Sequence, residues 1–156
     1  MCEFLIENKC EVDALDKLQR TPLMDAAEVG CLDAVKVLLK HHANIDARDL
    51  EGYDALSYCI DFVSKKDPKF YETAKFLVEN GADVNSAGKF ARRTILHCAV
   101  AQGDIEFVHF LVESKNAKVN MKDNEGKTSI DYARQINNKN LIEYLESVKR
   151  DASSGS

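Results

Sequence analysis

Apolar positions along this chain recur at helical spacing in short runs rather than in one long stripe. In 32–39 (Leu-Asp-Ala-Val-Lys-Val-Leu-Leu) and 105–112 (Ile-Glu-Phe-Val-His-Phe-Leu-Val), apolar residues at i, i+3 and i+4 predict short amphipathic helices. Each run follows Gly30-Cys31 or Gly103-Asp104, and Gly suits the left-handed cap that ends a preceding helix. Ahead of them, and twice more along the chain, stand blocks of small and apolar residues: Thr21-Pro22-Leu23-Met24-Asp25-Ala26, Asp54-Ala55-Leu56-Ser57-Tyr58-Cys59, Thr94-Ile95-Leu96-His97-Cys98-Ala99 and Thr128-Ser129-Ile130-Asp131-Tyr132-Ala133. Their starts are spaced by 33, 40 and 34 residues. A second motif recurs out of phase with the first, as Cys10-Glu11-Val12-Asp13, Ala43-Asn44-Ile45-Asp46, Ala82-Asp83-Val84-Asn85 and Ala117-Lys118-Val119-Asn120, at spacings of 33, 39 and 35. The predicted unit is helix, tight turn, helix, then a polar hairpin, and a recurring unit of this length implies stacking rather than one closed core.

Two such motifs, recurring together in constant phase, resemble the ankyrin repeat, with its Thr-Pro-Leu-His-x-Ala opening and its Gly-Ala-Asp-Val-Asn close. Thr21-Pro22-Leu23 and Asn80-Gly81-Ala82-Asp83-Val84-Asn85 are the nearest copies, and the resemblance runs from residue 3 to about residue 148. A Thr hydroxyl there can cap the first helix, while Pro fills the first turn at no hydrogen-bond cost. The resemblance implies an all-α solenoid of stacked helix-turn-helix units joined by β-hairpin-like loops. On this reading 1–14 is a partial repeat, and 15–46, 47–85, 86–120 and 121–150 are repeats, the last a polar C-terminal cap; 151–156 is a disordered tail. The apolar Phe4-Leu5-Ile6 has no preceding partner, which is expected of a fragment of a longer protein.

Composition narrows the function. The 156 residues carry 21 Lys+Arg against 26 Asp+Glu, a formal charge of −5, with no concentrated basic run, which argues against direct nucleic-acid binding. No stretch approaches the roughly 18 apolar residues of a membrane span. The five cysteines form no CxxC pair, which suggests reduced thiols in a cytoplasmic or nuclear compartment.

Two departures from the repeat stand out. Leu23 to Leu38, Leu96 to Leu111 and Ile130 to Leu145 are each 15 residues, but Leu56 to Leu77 is 21. The six extra residues near 64–69 are expected to extend the first helix or enlarge the inter-helix turn, either as a tolerated surface insertion or as a contact site. The hairpin Ala87-Gly88-Lys89-Phe90-Ala91-Arg92-Arg93 lacks the Asp-x-x-Gly signature, is one residue longer than its neighbours and is the most basic short stretch. It reads either as a site for an acidic or phosphorylated partner or as a solvated loop.

The resemblance implies a concave groove, lined by hairpin tips and the exposed side of each first helix, that holds other proteins. Its positions map here onto Lys17, Leu18, Arg20, Glu28 and Val29, then Leu50, Glu51, Tyr53, Asp61 and Phe62, then Phe90, Arg92, Arg93, Ala101 and Gln102, and finally Asn124, Glu125, Lys127 and Gln135. Leu18, Leu50, Tyr53, Phe62 and Phe90 are apolar where polar residues would normally be solvated, the composition of a binding hot spot. The expected partner is an extended or helical protein segment, with Glu51 and Asp61 meeting its cations. The resemblance also makes Asn85 a candidate for asparagine hydroxylation, beside its role as a turn residue.

Catalytic readings fare poorly. His97 and Cys98 are adjacent on a helix and point in different directions, whereas a nucleophile and its base must face each other; the resemblance gives His97 a structural hydrogen-bonding role instead. His41-His42 lacks further metal ligands at a defined spacing, and no phosphate loop or hydrolase motif occurs, so neither cofactor nor metal is expected. The rival functions are a sensor in which Lys89, Arg92 and Arg93 grip an anionic metabolite or nucleotide, and a structural spacer.

Overall fold

The computed structural model describes residues 11–63 and 67–155. The expected edge helix at Phe4 to Ile6 and the residues Ser64 to Lys66 of the insertion lie outside them. Helices come in consecutive pairs: α1 (Pro22–Glu28) with α2 (Leu32–Lys40), α3 (Ala55–Ile60) with α4 (Pro68–Glu79), α5 (Ile95–Gln102) with α6 (Ile105–His109), and α7 (Ser129–Gln135) with α8 (Lys139–Ser154). A single π-helical turn, Phe110–Ser114, continues α6.

Side chains of the repeated motif start each first helix. Thr21 Oγ1 accepts from the Met24 N–H at 3.3 Å, Asp54 Oδ1 from Ser57 N–H at 2.9 Å, and Thr128 N–H donates to Asp131 Oδ2 at 2.9 Å. Three of the four second helices are capped the same way, by Asp67 on Lys69, Asp104 on Phe107 and Asn138 on Leu141, whereas Cys31 at the start of α2 makes no such bond. Such caps contribute about 1 kcal/mol each, which short helices need.

The pairs stack because their contact faces are small. Ala27, Cys59, Ala74, Ala99 and Ala133 are fully buried and let helices of successive pairs approach. Leu23, Leu56, Leu96 and Ile130 from the first helices meet Val35, Leu77, Leu111 and Leu145 from the second in one continuous core. The second residue set ties unit to unit: Asp13 Oδ1 accepts the Asn44 N–H, and Asn85 Oδ1 the Lys118 N–H, both at 2.9 Å.

Two expectations about length are refined. With α3 ending at Ile60 and α4 starting at Pro68, the extra residues enlarge the connection between the two helices and do not prolong the first. The expected disordered tail is corrected: α8 runs on through Ser154. The sequence from Lys149 to Ser154 contains neither Gly nor Pro, and Ser153 Oγ and Ser154 Oγ donate to the carbonyls of Lys149 and Asp151.

Candidate protein-binding face

The loops between helix pairs close as hairpins through Asp16 N–H to Arg20 O, Asp49 N–H to Tyr53 O, Gly88 N–H to Arg93 O and Asp123 N–H to Lys127 O, at 2.8–3.1 Å. In three of the four, a carboxylate at the hairpin start holds the tip. Asp16 accepts from Leu18 and Arg20 N–H, Asp49 from Glu51 and Tyr53 N–H, and Asp123 from Glu125 and Lys127 N–H, at 2.8–2.9 Å. The second oxygens of Asp49 and Asp123 accept the hydroxyls of Tyr58 and Tyr132, at 2.6 and 2.7 Å. Burial pushes both carboxyls up, but these bonds, with the charges of Lys89 and His97 respectively, hold them below the usual carboxylate range.

The hairpin at 88–93 has no such residue and borrows one. Asp61, at the end of α3 in the preceding unit, accepts the Phe90 N–H at 2.8 Å and the Ala91 N–H at 3.1 Å. Gly88 is required by that borrowing, because a Cβ there would stand 2.5 Å from Asp61 Oδ1. The sequence reading offers Asp61 to a partner's cations; the structure instead spends its carboxylate inside the protein.

Two pairs of neighbouring tips are bonded through their backbones. Leu50 N–H donates to Leu18 O at 3.1 Å, and Asn124 N–H donates to Ala91 O at 3.0 Å. Between the second and third tips the link is Lys89 Nζ to Glu51, and Leu18, Leu50 and Phe90 on these three successive tips are 56, 63 and 68% exposed. Phe62 is a half-supported aromatic: it stacks on Phe70 at 5.3 Å, and Phe70 in turn lies over Gly30. Val29, at the matching position of the unit before, is also exposed.

Behind the tips runs a chain of charges and rings. The Arg20 guanidinium lies 4.8 Å from the Tyr58 ring centre and pairs with Asp25 and Glu28. Lys89 Nζ sits 5.5 Å from the Tyr53 ring and 5.7 Å from that of Tyr58, and pairs with Glu51 at 3.0 Å. Arg20, expected at the interface, is therefore mostly engaged within the protein, and Tyr53 is partly buried rather than free. In the pairs of Arg20 with Asp25 and Glu28 and of Lys89 with Glu51 the acid is the more exposed member, as with Glu51 at 61% against Lys89 at 26%.

Of the two arginines in the basic hairpin, Arg93 is half-buried and donates to the Asp61 carbonyl at 3.4 Å, while Arg92 is exposed and forms no ion pair with a described residue. Arg92 and Gln19 have φ of 54° and 60°, in the left-handed conformation that Gly52 and Gly126 adopt at the other tips. Sequence reasoning passed over Tyr58 and gave Lys89 no groove role; the signal for Lys89 was its place one residue after a Gly where other hairpins carry Asp. Asn85, the hydroxylation candidate, is half-buried with its amide oxygen bonded to the next unit.

His97 is buried with both ring nitrogens in use. Nε2 faces the carbonyls of Met121 and Lys127 at 3.0 and 3.2 Å, so it carries the proton, and Nδ1 accepts the Thr94 N–H at 3.0 Å. Burial, with the charge of Arg93, holds its pKa below the ordinary value despite those carbonyls and Asp123. Burial pushes the Cys98 thiol up to about 12, the opposite of an activated nucleophile. Among the described residues no group of three or more His, Cys, Asp or Glu is placed to hold a metal, and no helix is long and apolar enough to cross a membrane.

Comparison with known proteins agrees with this geometry. The family model of ankyrin repeats (3 copies) matches residues 1–88 and 69–153. The Danio rerio protein named "Putative palmitoyltransferase ZDHHC13" is 29% identical over 96% of this chain, which covers 27% of that protein. Human inversin is 32% identical over 73% of the chain and 11% of its own length, and the potassium channel AKT2/3 of Arabidopsis thaliana is 32% identical over 90% of the chain and 16% of its own. The chain thus spans about a quarter or less of the length of these relatives. Capped helix pairs, carboxylate-held hairpins and a matching family model over both halves of the sequence make this chain a member of the ankyrin repeat family.

Proposed function

We propose that this domain is a non-catalytic protein-recognition module of a larger protein, holding an extended or helical partner segment against its hairpin tips and the ends of its first helices. The observation that carries the reading is the set Leu18, Leu50 and Phe90, each exposed at the tip of one of three consecutive hairpins, together with the exposed Phe62 and the partly buried Tyr53. Exposed apolar side chains ringed by charge are the composition of an interface centre, and a rigid stack lowers the ordering cost of binding. Because Asp25, Glu28 and Glu51 are more exposed than the cations they pair with, the partner segment carries basic residues between its apolar ones. Arg92, the exposed cation at the tip beside Phe90, sets the end at which that segment turns acidic.

The relatives support a modular role: their names include the words "Putative palmitoyltransferase" and "Potassium channel", and the portion matched here is a small part of each. The scattered cysteines suit a reducing cytoplasmic or nuclear setting. Hydroxylation of Asn85 belongs to the same reading and is checked as one added oxygen in peptide mass spectrometry. A sensor of small anions is disfavoured, because Lys89 is paired with Glu51 and Arg93 with the Asp61 carbonyl.

The test is site-directed photo-crosslinking in lysate with p-benzoylphenylalanine in place of Leu50 or Phe90, beside the same probe in place of Glu72 on α4. A shared crosslinked protein from positions 50 and 90, missing from position 72, is the expected outcome. Equal yields at all three positions, or crosslinks from position 72 alone, contradict the proposal.

A further inference from the structure

α8 is longer than its counterparts, 16 residues against 9 in α2 and 12 in α4. At about 1.5 Å per residue it stands roughly 6–10 Å beyond the end they define. The overhanging turns wall a cleft of about 890 Å³, faced by the last hairpin and α7.

The charges in this cleft do not cancel. Its lining includes the cations Lys122, Arg134, Lys149 and Arg150 and the acids Asp131 and Glu146. Arg134 alone takes both acids, Asp131 at 3.3 Å and Glu146 at 2.8 Å. The other oxygen of Asp131 is occupied by the N–H and hydroxyl of Thr128, both at 2.9 Å. Lys122 and Lys149 form no ion pair with a described residue, and Arg150 donates only to the Glu146 carbonyl, at 3.3 Å. Three cations without an ion pair to a described residue thus line one concavity, whose lining carries two more positive than negative charges in a chain whose formal charge is −5. A cleft whose lining carries an excess of one sign of charge concentrates the opposite sign and speeds its capture.

An apolar floor adjoins them. A second cleft of about 480 Å³, which shares Lys149 and Ser153 with the first, is lined by Val112, Val148 and Ala152 beside Lys118. Cations beside apolar surface suit a peptide that alternates acid and apolar side chains. They suit a bare phosphate less, because the carboxylates of Asp131 and Glu146 stand in the same cleft and repel a doubly charged anion.

We propose that the C-terminal cleft is a second docking site, which takes a short acidic segment of a protein partner, its carboxylates on Lys122, Lys149 and Arg150 and its apolar side chains toward Val148 and Ala152. The site shares no residue with the hairpin-tip face and does not rest on that reading.

The test uses the full chain and a rhodamine-labelled peptide in which Glu and Leu alternate, followed by fluorescence anisotropy at low and at physiological salt. The wild type binds it and weakens with salt, and Lys122→Ser/Lys149→Ser/Arg150→Ser loses roughly tenfold or more in affinity, the sum of three exposed charge contacts. The same triple variant keeps its unfolding midpoint, since all three residues are exposed. Lys17→Ser/Arg92→Ser, which removes cations from the hairpin tips, leaves affinity for this peptide unchanged. Four results overturn the proposal: no binding by the wild type, equal binding by the triple variant, equal binding of a Lys-Leu peptide, or full displacement by inorganic sulfate at concentrations comparable to the peptide.

Discussion

Replacing Asp61 with Ala removes the only acceptors that the Phe90 and Ala91 N–H groups have among the described residues, at 2.8 and 3.1 Å. A hydrogen bond to a charged acceptor contributes about 1.5–3 kcal/mol when it is buried, and less where water can replace it. Phe90 is exposed and its N–H is readily rehydrated, whereas Ala91 is half-buried, so the two together should cost about 2–3 kcal/mol. For a domain of this size that corresponds to a fall in Tm of roughly 4–12 °C. Asp61→Asn keeps one oxygen but turns an amide NH₂ toward the other N–H, and should recover only about half of the loss. Gly88→Ala attacks the same contact from the other side, because its Cβ would stand 2.5 Å from the carboxylate. The two substitutions therefore couple: in Asp61→Ala the methyl at position 88 costs less than in the wild type, and a double-mutant cycle should return at least about 1 kcal/mol. Urea unfolding supplies the free energies, and amide exchange at residues 90 and 91 shows whether the hairpin opens locally. A loss below about 0.5 kcal/mol for Asp61→Ala, or strict additivity with Gly88→Ala, would refute the reasoning.

Three further outcomes follow from the geometry. His97 has a folded pKa below its ordinary 6.5, so its contribution is complete above that value and is lost as pH falls from there through the folded pKa; the urea midpoint should drop as pH is taken below 6.5, and drop less in His97→Gln. Arg20→Met removes the contact with the Tyr58 ring and leaves Asp25 and Glu28 facing each other without a cation, a cost of about 1–2 kcal/mol by calorimetry; an unchanged midpoint would mean that the cation adds nothing. With Cys2 and Cys10 replaced by Ser, one thiol, the exposed Cys31, should react with a maleimide in the native state, while Cys59 and Cys98, both pushed up to about 12 by burial, react only on unfolding; rapid labelling of all three would contradict the packing.

The helix pairs were legible in the sequence because two motifs recurred in phase, and each carried its own local physics: Thr or Asp to start a helix, small residues to let neighbours approach. The hairpin tips were legible for the same reason, since Leu18, Leu50 and Phe90 are apolar where a solvated turn needs none. Asp61 was misjudged because its partner lies in the following hairpin, and only the Gly at position 88, where the other hairpins carry Asp, hinted that something approaches closely there. Arg20 was assigned to the groove and Lys89 to a grip on an anionic ligand, and their contacts with the Tyr58 ring were not foreseen because cation–ring contacts between units leave no pattern at a fixed spacing. The extra turns of α8 were missed because Asp151-Ala152-Ser153-Ser154 is polar and short, a composition shared by tails and by exposed helix ends.

The central claim, that the hairpin-tip face holds a protein partner, is tested most directly by capture from lysate with the wild-type domain beside Leu18→Ser/Leu50→Ser/Phe90→Ser, quantified by mass spectrometry. The three residues are exposed, so the variant should keep its circular dichroism and unfolding midpoint. At least one protein held by the wild type should be lost from the variant, and calorimetry with that protein should show Tyr53→Ala and Phe62→Ala each weakening it by more than about 1 kcal/mol. Identical sets of captured proteins from two equally folded domains would contradict it.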